Sequence, residues 1–252
     1  MIPLLDAPVI PPKSRQAAAP ATTEAVAVVC AYNEAAHIEA VVRGASKHVP
    51  VVVVDDGSRD ETAEIASRTG AWVLRKPKNA GKGAALVTGF RWAVRNGYKA
   101  VVCLDGDGQH DTEEIPKFLD LWRLGHQAVF GNRMQDVTTM PAVRLAVNRL
   151  MGTTVSTLAG YRIADPQCGF RLYSAGCLRS LRVKTVRYDA EAEIAVQVAR
   201  AGYKVVSIPV RTIYQAAIKS KIRPLIDTIR FLRIVVYYSM VRHPDWKGTP
   251  PV

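Results

Sequence analysis

The feature that most constrains this 252-residue chain is the alternation of short β-branched runs with helical stretches. AVAVVC (25–30) precedes a helix near 35–47, VVVVD (51–55) a helix near 60–69, and AWVL (71–74) a helix near 82–96. AVVCLD (100–105) precedes a helix near 113–124, and QAVFG (127–131) closes the series. Such alternation predicts right-handed βαβ units and an α/β fold with a mainly parallel sheet. The apolar runs are continuous rather than alternating, so helices should cover both faces. Ligands of open sheets of this kind sit beyond the C-terminal strand ends, and residues that carry chemistry are expected just after each strand.

The second half is less regular. Residues 141–160 read as a helix, DPQCGFRLY (165–173) as a turn entering a strand, 188–201 as a helix and KVVSIPV (204–210) as a strand. Residues 1–24, rich in Pro and Ala, are expected to form a flexible tail. The folded domain should then span 25–222, and 223–252 should hold an amphipathic basic helix and a tail. The N-terminal apolar stretch is broken by Pro3, Pro8, Pro11 and Pro12 and has no basic residues before it, unlike a signal peptide. No run of about 18 uncharged apolar residues predicts a spanning helix. Cys30, Cys103, Cys168 and Cys177 share no disulfide or zinc spacing, which points to a reducing, cytoplasmic setting.

The motifs lie where the strand pattern puts them. After the fourth run comes DGDGQH (105–110), where Asp105 and Asp107 at i and i+2 direct both carboxylates toward one point. Two carboxylates that close repel unless a cation lies between them. A hard divalent ion that keeps waters and bridges phosphates suits this oxygen set, with Gln109 as a further ligand. A bare DxD is also compatible with a solvated turn, but here two glycines clear space after a buried strand. DDGS (55–58) ends the second run. Ser58 or Asp60 can cap the next helix, which leaves Asp55 and Asp56 able to accept hydrogen bonds from a nucleobase.

AYNE (31–34) offers Tyr32 for stacking on a base, with Asn33 and Glu34 opening a helix. In RKPKNAGKGAALVTGF (75–90), Arg75, Lys76, Lys78 and Lys82 surround a helix start, which favours a phosphate. The spacing is not that of a P-loop. Arg133 in GNR, Arg144 and Arg149 in the next helix, and Arg171 in DPQCGFR add cations suited to phosphate. His110 is placed as a supporting residue behind the carboxylates.

Taken in order, AYNE, DDGS, NAGKG, DGDGQH and GNR resemble the family 2 glycosyltransferases of the GT-A fold, whose sheet is Rossmann-like. DxDxQH followed by GNR, DPQCGFR and a YDAEAE helix is similar to the dolichyl-phosphate and polyprenyl-phosphate mannosyltransferase branch. The resemblance covers roughly residues 25–235. It implies a nucleotide-sugar pocket of Ala31, Tyr32, Glu34, Asp55, Asp56, Lys82 and Asp105. It further implies Mg2+ or Mn2+ held by Asp105, Asp107 and Gln109, and an acceptor phosphate near Arg133, Arg144 and Arg171. Asp107, Gln109 and Arg133 would carry the chemistry. Cys30 stands where the family usually has proline, and GNRM replaces the commoner GSRY.

The function expected from this resemblance is metal-dependent, inverting transfer of a hexose from a UDP- or GDP-sugar to a polyprenyl phosphate. An acceptor phosphate is already ionised at neutral pH, whereas a hydroxyl acceptor would require a base from Asp165, Glu191 or Glu193. A soluble acceptor is the alternative on the same fold. A sugar nucleotidyltransferase would show a Gly-rich box where AYNE stands. The net charge of +12 (34 basic against 22 acidic residues) invites an anionic partner. No helix-turn-helix, RRM or OB signature directs that charge to nucleic acid.

Between Arg200 and Arg242 there are nine basic residues and one acid, Asp227. On the helix expected over 224–243, Asp227, Arg230 and Arg233 form one polar stripe beside apolar residues. Such a segment can lie on an anionic membrane surface, which predicts a peripheral protein on the cytoplasmic face.

Overall fold

The computed structural model describes residues 7–13, 24–134, 142–187, 189–213, 233 and 235–240. The valine-rich runs become the strands β2 (Ala25–Ala31), β3 (Val51–Asp55), β4 (Trp72–Arg75), β5 (Ala100–Asp105) and β6 (Ala128–Asn132). Between them lie α1 (Ile38–Ser46), α2 (Thr62–Arg68), α3 (Lys82–Arg95) and α4 (Ile115–Arg123), the last entered through a 3-10 turn at Thr112–Glu114. Then follow α5 (Ala142–Ala159), β7 (Arg171–Ser174), α6 (Ala175–Ser180), α7 (Ala190–Arg200) and β8 (Val205–Pro209).

The continuous apolar runs are explained by cover on both faces. Along β2, Val26, Val28 and Cys30 point to a core built with α3, α5, α6 and α7. Ala25, Ala27, Val29 and Ala31 point to the opposite core with α1, α2 and α4. Each fully buried valine contributes roughly 1.5–3 kcal/mol, so a polar residue on either face of this strand would oppose folding.

With Val9–Ile10 as β1, the sheet order is β1-β4-β3-β2-β5-β7-β6-β8. The parallel register pairs Ala31 with Asp55 and Cys30 with Asp105, which brings the C-terminal ends of β2, β3 and β5 level. This alignment sets the loops after these strands side by side.

Two features depart from the sequence expectations. The chain does not begin to fold at Ala25. Val9–Ile10 form a short edge strand, β1, antiparallel to β4, and Ser67 Oγ donates to the Pro11 carbonyl. The backbone of residues 9–10 needed a neighbouring edge, which local composition does not reveal. In addition, β7 runs antiparallel to both β5 and β6 and is inserted between them.

The helix expected over 224–243 falls largely outside the described residues. Residues 233 and 235–240 are helical, and Tyr238 is buried against α7, where its hydroxyl meets Glu193 and Gln197. Among the described residues, no helix is long and apolar enough to cross a membrane.

Candidate active site

The loops after β2 and β3 are stitched together by side chains. Asn33 lies in the left-handed region (φ 54°), which asparagine adopts more readily than most non-glycine residues. Its amide donates to Ser58 Oγ at 2.9 Å, and its own Oδ1 accepts from the Arg59 amide at 2.9 Å. The Glu34 amide donates to Thr62 Oγ1, and the Ala35 amide to Asp60 Oδ2. Ser58 and Asp60 thus anchor the AYNE loop, and Asp60 also accepts from the Thr62 amide at the start of α2. Half-buried Tyr32 and Glu34 sit on this scaffold next to buried Ala31.

Asp55 and Asp56 differ in fate. Asp56 accepts from Lys76 Nζ at 2.6 Å, from the Ala80 amide at 3.1 Å and from the Gly81 amide at 2.7 Å. Both its oxygens are therefore engaged in building the 76–81 loop, a correction to its expected contact with a base. Asp55 is fully buried and accepts from the Ser58 amide through Oδ1. Its Oδ2 accepts no hydrogen bond among the described residues, and Arg75 Nε lies 3.5 Å away. Burial pushes the Asp55 carboxyl up, against the lowering effects of Ser58 and Arg75.

The phosphate cradle expected at the start of α3 is also corrected. The Ala80 and Gly81 amides turn inward to Asp56, and the Ala84 amide donates to the Val186 carbonyl at 3.3 Å. Segment 185–187 therefore lies over the helix N-terminus. Arg75 pairs with Glu64 at 2.6 Å, and Lys76 is buried with Asp56, so neither is directed at a ligand.

Lys82 instead reaches the carboxylates. Its Nζ lies 2.6 Å from Asp105 Oδ1 and 2.8 Å from Glu191 Oε1. On the other side, His110 Nε2 is 3.4 Å from Asp105 Oδ2, and the His110 ring packs on Phe170. Burial would raise the Asp105 carboxyl, but Lys82 and His110 outweigh it and hold the group well below the usual carboxylate range. The Asp107 carboxyl is pushed up by burial and by the Asp105 charge. Its Oδ1 accepts from the Gln109 amide at 3.0 Å.

Asp107, in the turn that follows β5, therefore feels the charge of Asp105 at the strand end. Among the described residues, no three His, Cys, Asp or Glu side chains gather into a fuller metal cluster. Two mutually repelling carboxylates with the Gln109 amide oxygen nearby in sequence fit a hard ion that takes its remaining ligands from water and phosphate.

Gly169, in DPQCGFR, was not singled out from the sequence. A Cβ there would meet Asp105 Oδ2 at 2.6 Å and Lys82 Nζ at 2.9 Å. The glycine lets the loop before β7 close against the carboxylates, and its only trace in the sequence is its place in the DPQCGFR turn that enters a strand.

On the β6 side, Arg133 is clamped by Asp165. Nε donates to Oδ2 at 2.8 Å, Nη2 to Oδ1 at 3.0 Å, and the backbone amide to Oδ2 at 3.2 Å. Arg133 lies close enough to Glu191 to feel its charge. Beside it, a cavity of about 850 Å³ is lined by Met134, Arg149, Gly152, Ser156, Arg162 and Ala164, among others.

Arg171 does not face this side. It is buried and donates to the carbonyls of Cys168, Pro166 and Glu191 and to the Tyr173 hydroxyl, over the Phe130 ring. It holds the core, contrary to the expected phosphate contact. Arg144 lies in α5, and its side chain is outside the described residues.

The sequence profile of glycosyl transferase family 2 matches residues 26–182. The chain belongs to this family. The protein is thus a glycosyltransferase with a GT-A-like fold.

Polyprenol monophosphomannose synthase of Mycolicibacterium smegmatis is 29% identical over 204 residues, covering 75% of this chain and 77% of that protein. Undecaprenyl-phosphate mannosyltransferase of Micrococcus luteus is 27% identical over 210 residues, covering 77% and 85%. Among solved structures, glucosyl-3-phosphoglycerate synthase of Mycobacterium tuberculosis, in complex with Mg2+ and UDP, matches with a TM-score of 0.64 and 25% identity. That match covers 88% of this glycosyltransferase and 80% of the other chain.

Proposed function

We propose that this glycosyltransferase moves one hexose from a UDP- or GDP-sugar to a polyprenyl phosphate, with inversion at the anomeric carbon. One observation carries the choice of acceptor: the three acids named above as bases for a hydroxyl, Asp165, Glu191 and Glu193, are already engaged. Asp165 is clamped by Arg133, which with other hydrogen bonds holds its carboxyl below the ordinary value despite burial. Glu193 accepts from the amides of Lys184 and Thr185, the Thr185 hydroxyl, Gln197 Nε2 and the Tyr238 hydroxyl. Glu191 is paired with Lys82. A phosphate nucleophile needs no base, and the engagement of these three acids fits it. The names of the mycobacterial and micrococcal relatives point to the same acceptor class.

Asp105 and Asp107, with the Gln109 side chain, would hold Mg2+ or Mn2+. When bound, such an ion neutralises charge that grows on the leaving nucleoside diphosphate. The protein's own groups do the rest. Lys82 supplies a cation beside Asp105, and the Tyr32–Glu34 loop, with the buried Asp55 carboxylate behind it, borders the place for the base. Arg133 is oriented by Asp165, and the chain neighbours of this pair, Met134 and Ala164, line the cavity of Arg149 and Arg162, where the acceptor phosphate would enter. Asp107→Ala should abolish transfer while the circular dichroism spectrum stays that of the wild type. Full activity of that variant in excess chelator would refute the assignment. A thermal-shift panel of UDP- and GDP-sugars with Mn2+ identifies the donor, since a ligand at 100 times its Kd adds about 2.7 kcal/mol.

Delivery to a lipid acceptor would use the basic C-terminal segment on the cytoplasmic membrane surface. Tyr238 fastens this segment to α7, while Val236 and Met240 are exposed. Cosedimentation with anionic liposomes that is lost at high salt, and on replacing Lys219, Lys221 and Arg223 with Gln, supports this. No binding at low salt would move the acceptor toward a soluble phosphate.

A further inference from the structure

The position of Lys82 has a consequence for how the site is loaded. Its ammonium occupies Asp105 Oδ1 at 2.6 Å, on the carboxylate expected to face the metal, while His110 stands at the other oxygen at 3.4 Å. Both Asp105 oxygens therefore have a side-chain nitrogen beside them. The arrangement is built from two distant parts of the chain. A Cβ on Gly83 would lie 2.5 Å from Ala190 Cβ, so α3 and α7 touch at their N-terminal ends, and this contact brings Lys82 to Glu191. The absent side chain of Gly169 leaves the space in which the ammonium and Asp105 meet. With its side chain 15% exposed, Lys82 has little water to fall back on if it leaves Asp105.

We propose that Lys82 is the resident counter-ion of the metal site, and that it couples metal binding to nucleotide binding. This rests on the reading of Asp105 and Asp107 as metal-holding residues given above. A divalent ion approaching alone must displace the ammonium from Asp105. The displaced ammonium then retains Glu191 but faces a doubly charged cation at short range. An ion arriving with a nucleoside diphosphate brings the missing anion, and Lys82 can pivot on Glu191 from the Asp105 carboxylate to a phosphate oxygen. Glu191 is thus a positioning residue, holding the ammonium near both partners. Bare metal binds weakly, metal and nucleotide strengthen one another, and by linkage the factor is the same in both directions.

The test measures Mn2+ binding to the full chain by the loss of the free-ion electron paramagnetic resonance signal, with and without UDP or GDP. Wild type is compared with Lys82→Met and Glu191→Gln. Lys82→Met should bind Mn2+ alone at least tenfold more tightly than wild type, and the enhancement by nucleotide should shrink by a similar factor. Glu191→Gln should shift the other way, with Mn2+ alone bound at least threefold more weakly, because the ammonium is then left wholly to Asp105.

If wild type binds Mn2+ with nucleotide but Lys82→Met binds Mn2+ alone no more tightly, the counter-ion role is overturned and the metal site stands. If wild type binds no Mn2+ under any condition, the metal site and the counter-ion role fall together. Should Lys82→Met fail to fold, the direction of the Glu191→Gln shift decides, and tighter binding overturns the proposal.

Discussion

The Arg133–Asp165 clamp offers a test of whether the acceptor side is built as described. In Asp165→Asn the side chain keeps its size, but one oxygen that accepted from Arg133 becomes an N–H facing another N–H. Arg133 is left as a guanidinium with its side chain 14% exposed and its carboxylate gone. Three hydrogen bonds from Arg133, and one from the Gln167 amide, converge on the lost charge. Breaking a buried ion pair by removing one partner costs about 3–5 kcal/mol, and the residual exposure of Arg133 favours the lower end.

For a chain of this size each kcal/mol moves Tm by roughly 2–4 °C, so the expected fall is about 6–12 °C by differential scanning calorimetry at pH 7. The sign with pH follows from the lowered Asp165 carboxyl. Its contribution is fully present above the ordinary aspartate value near about 4 and is lost as pH falls through the lower folded value. The gap between wild type and variant should therefore be constant from neutral pH down to about 5 and close below about 4. A fall of under 2 °C at pH 7, or a gap that widens in acid, would refute the clamp as a buried pair.

Other outcomes follow from single residues. Gly169→Ala should leave Tm within a few degrees of wild type, yet weaken Mn2+ binding in the presence of nucleotide by at least tenfold, because its Cβ would press on Asp105 Oδ2 and Lys82 Nζ; equal Mn2+ affinity would contradict the close approach. Asp55→Asn should stabilise the protein slightly at pH 7. The wild-type carboxyl is raised by burial, so its contribution is present at low pH and lost as pH rises through the folded value. The same variant should raise the donor KM by about 1–3 kcal/mol in binding terms if Oδ2 contacts the base, and an unchanged KM would remove Asp55 from the nucleotide pocket. Arg171→Met should lower Tm sharply, since three buried carbonyls lose their donor at about 1–3 kcal/mol each before relaxation; a stable variant with an altered acceptor KM would restore the phosphate role.

The repeating apolar runs determined, without any structure, the strands β2 to β6, the helices between them and the covering of both faces. Those features depend on burial, and burial leaves a periodic trace in local sequence. The carboxylate pair could be named from the sequence because the two aspartates of DGDGQH stand two residues apart where β5 ends, near enough for Asp107 to feel the Asp105 charge. Pairings between distant segments were decided by the tertiary structure alone. RLYS does not encode whether β7 runs with or against β5, because direction depends on where α5 returns the chain. Arg171 and Arg133 both stand at the end of a strand, yet one is enclosed by carbonyls and the other clamped by a carboxylate. Asp56 looked as available as Asp55 until the 80–81 amides closed on it, and α3 looked like a phosphate site until Val186 covered its N-terminus. A sequence displays which groups carry charge, but a charge takes its role from the nearest opposite group, and that neighbour is chosen by contacts that only the folded chain makes.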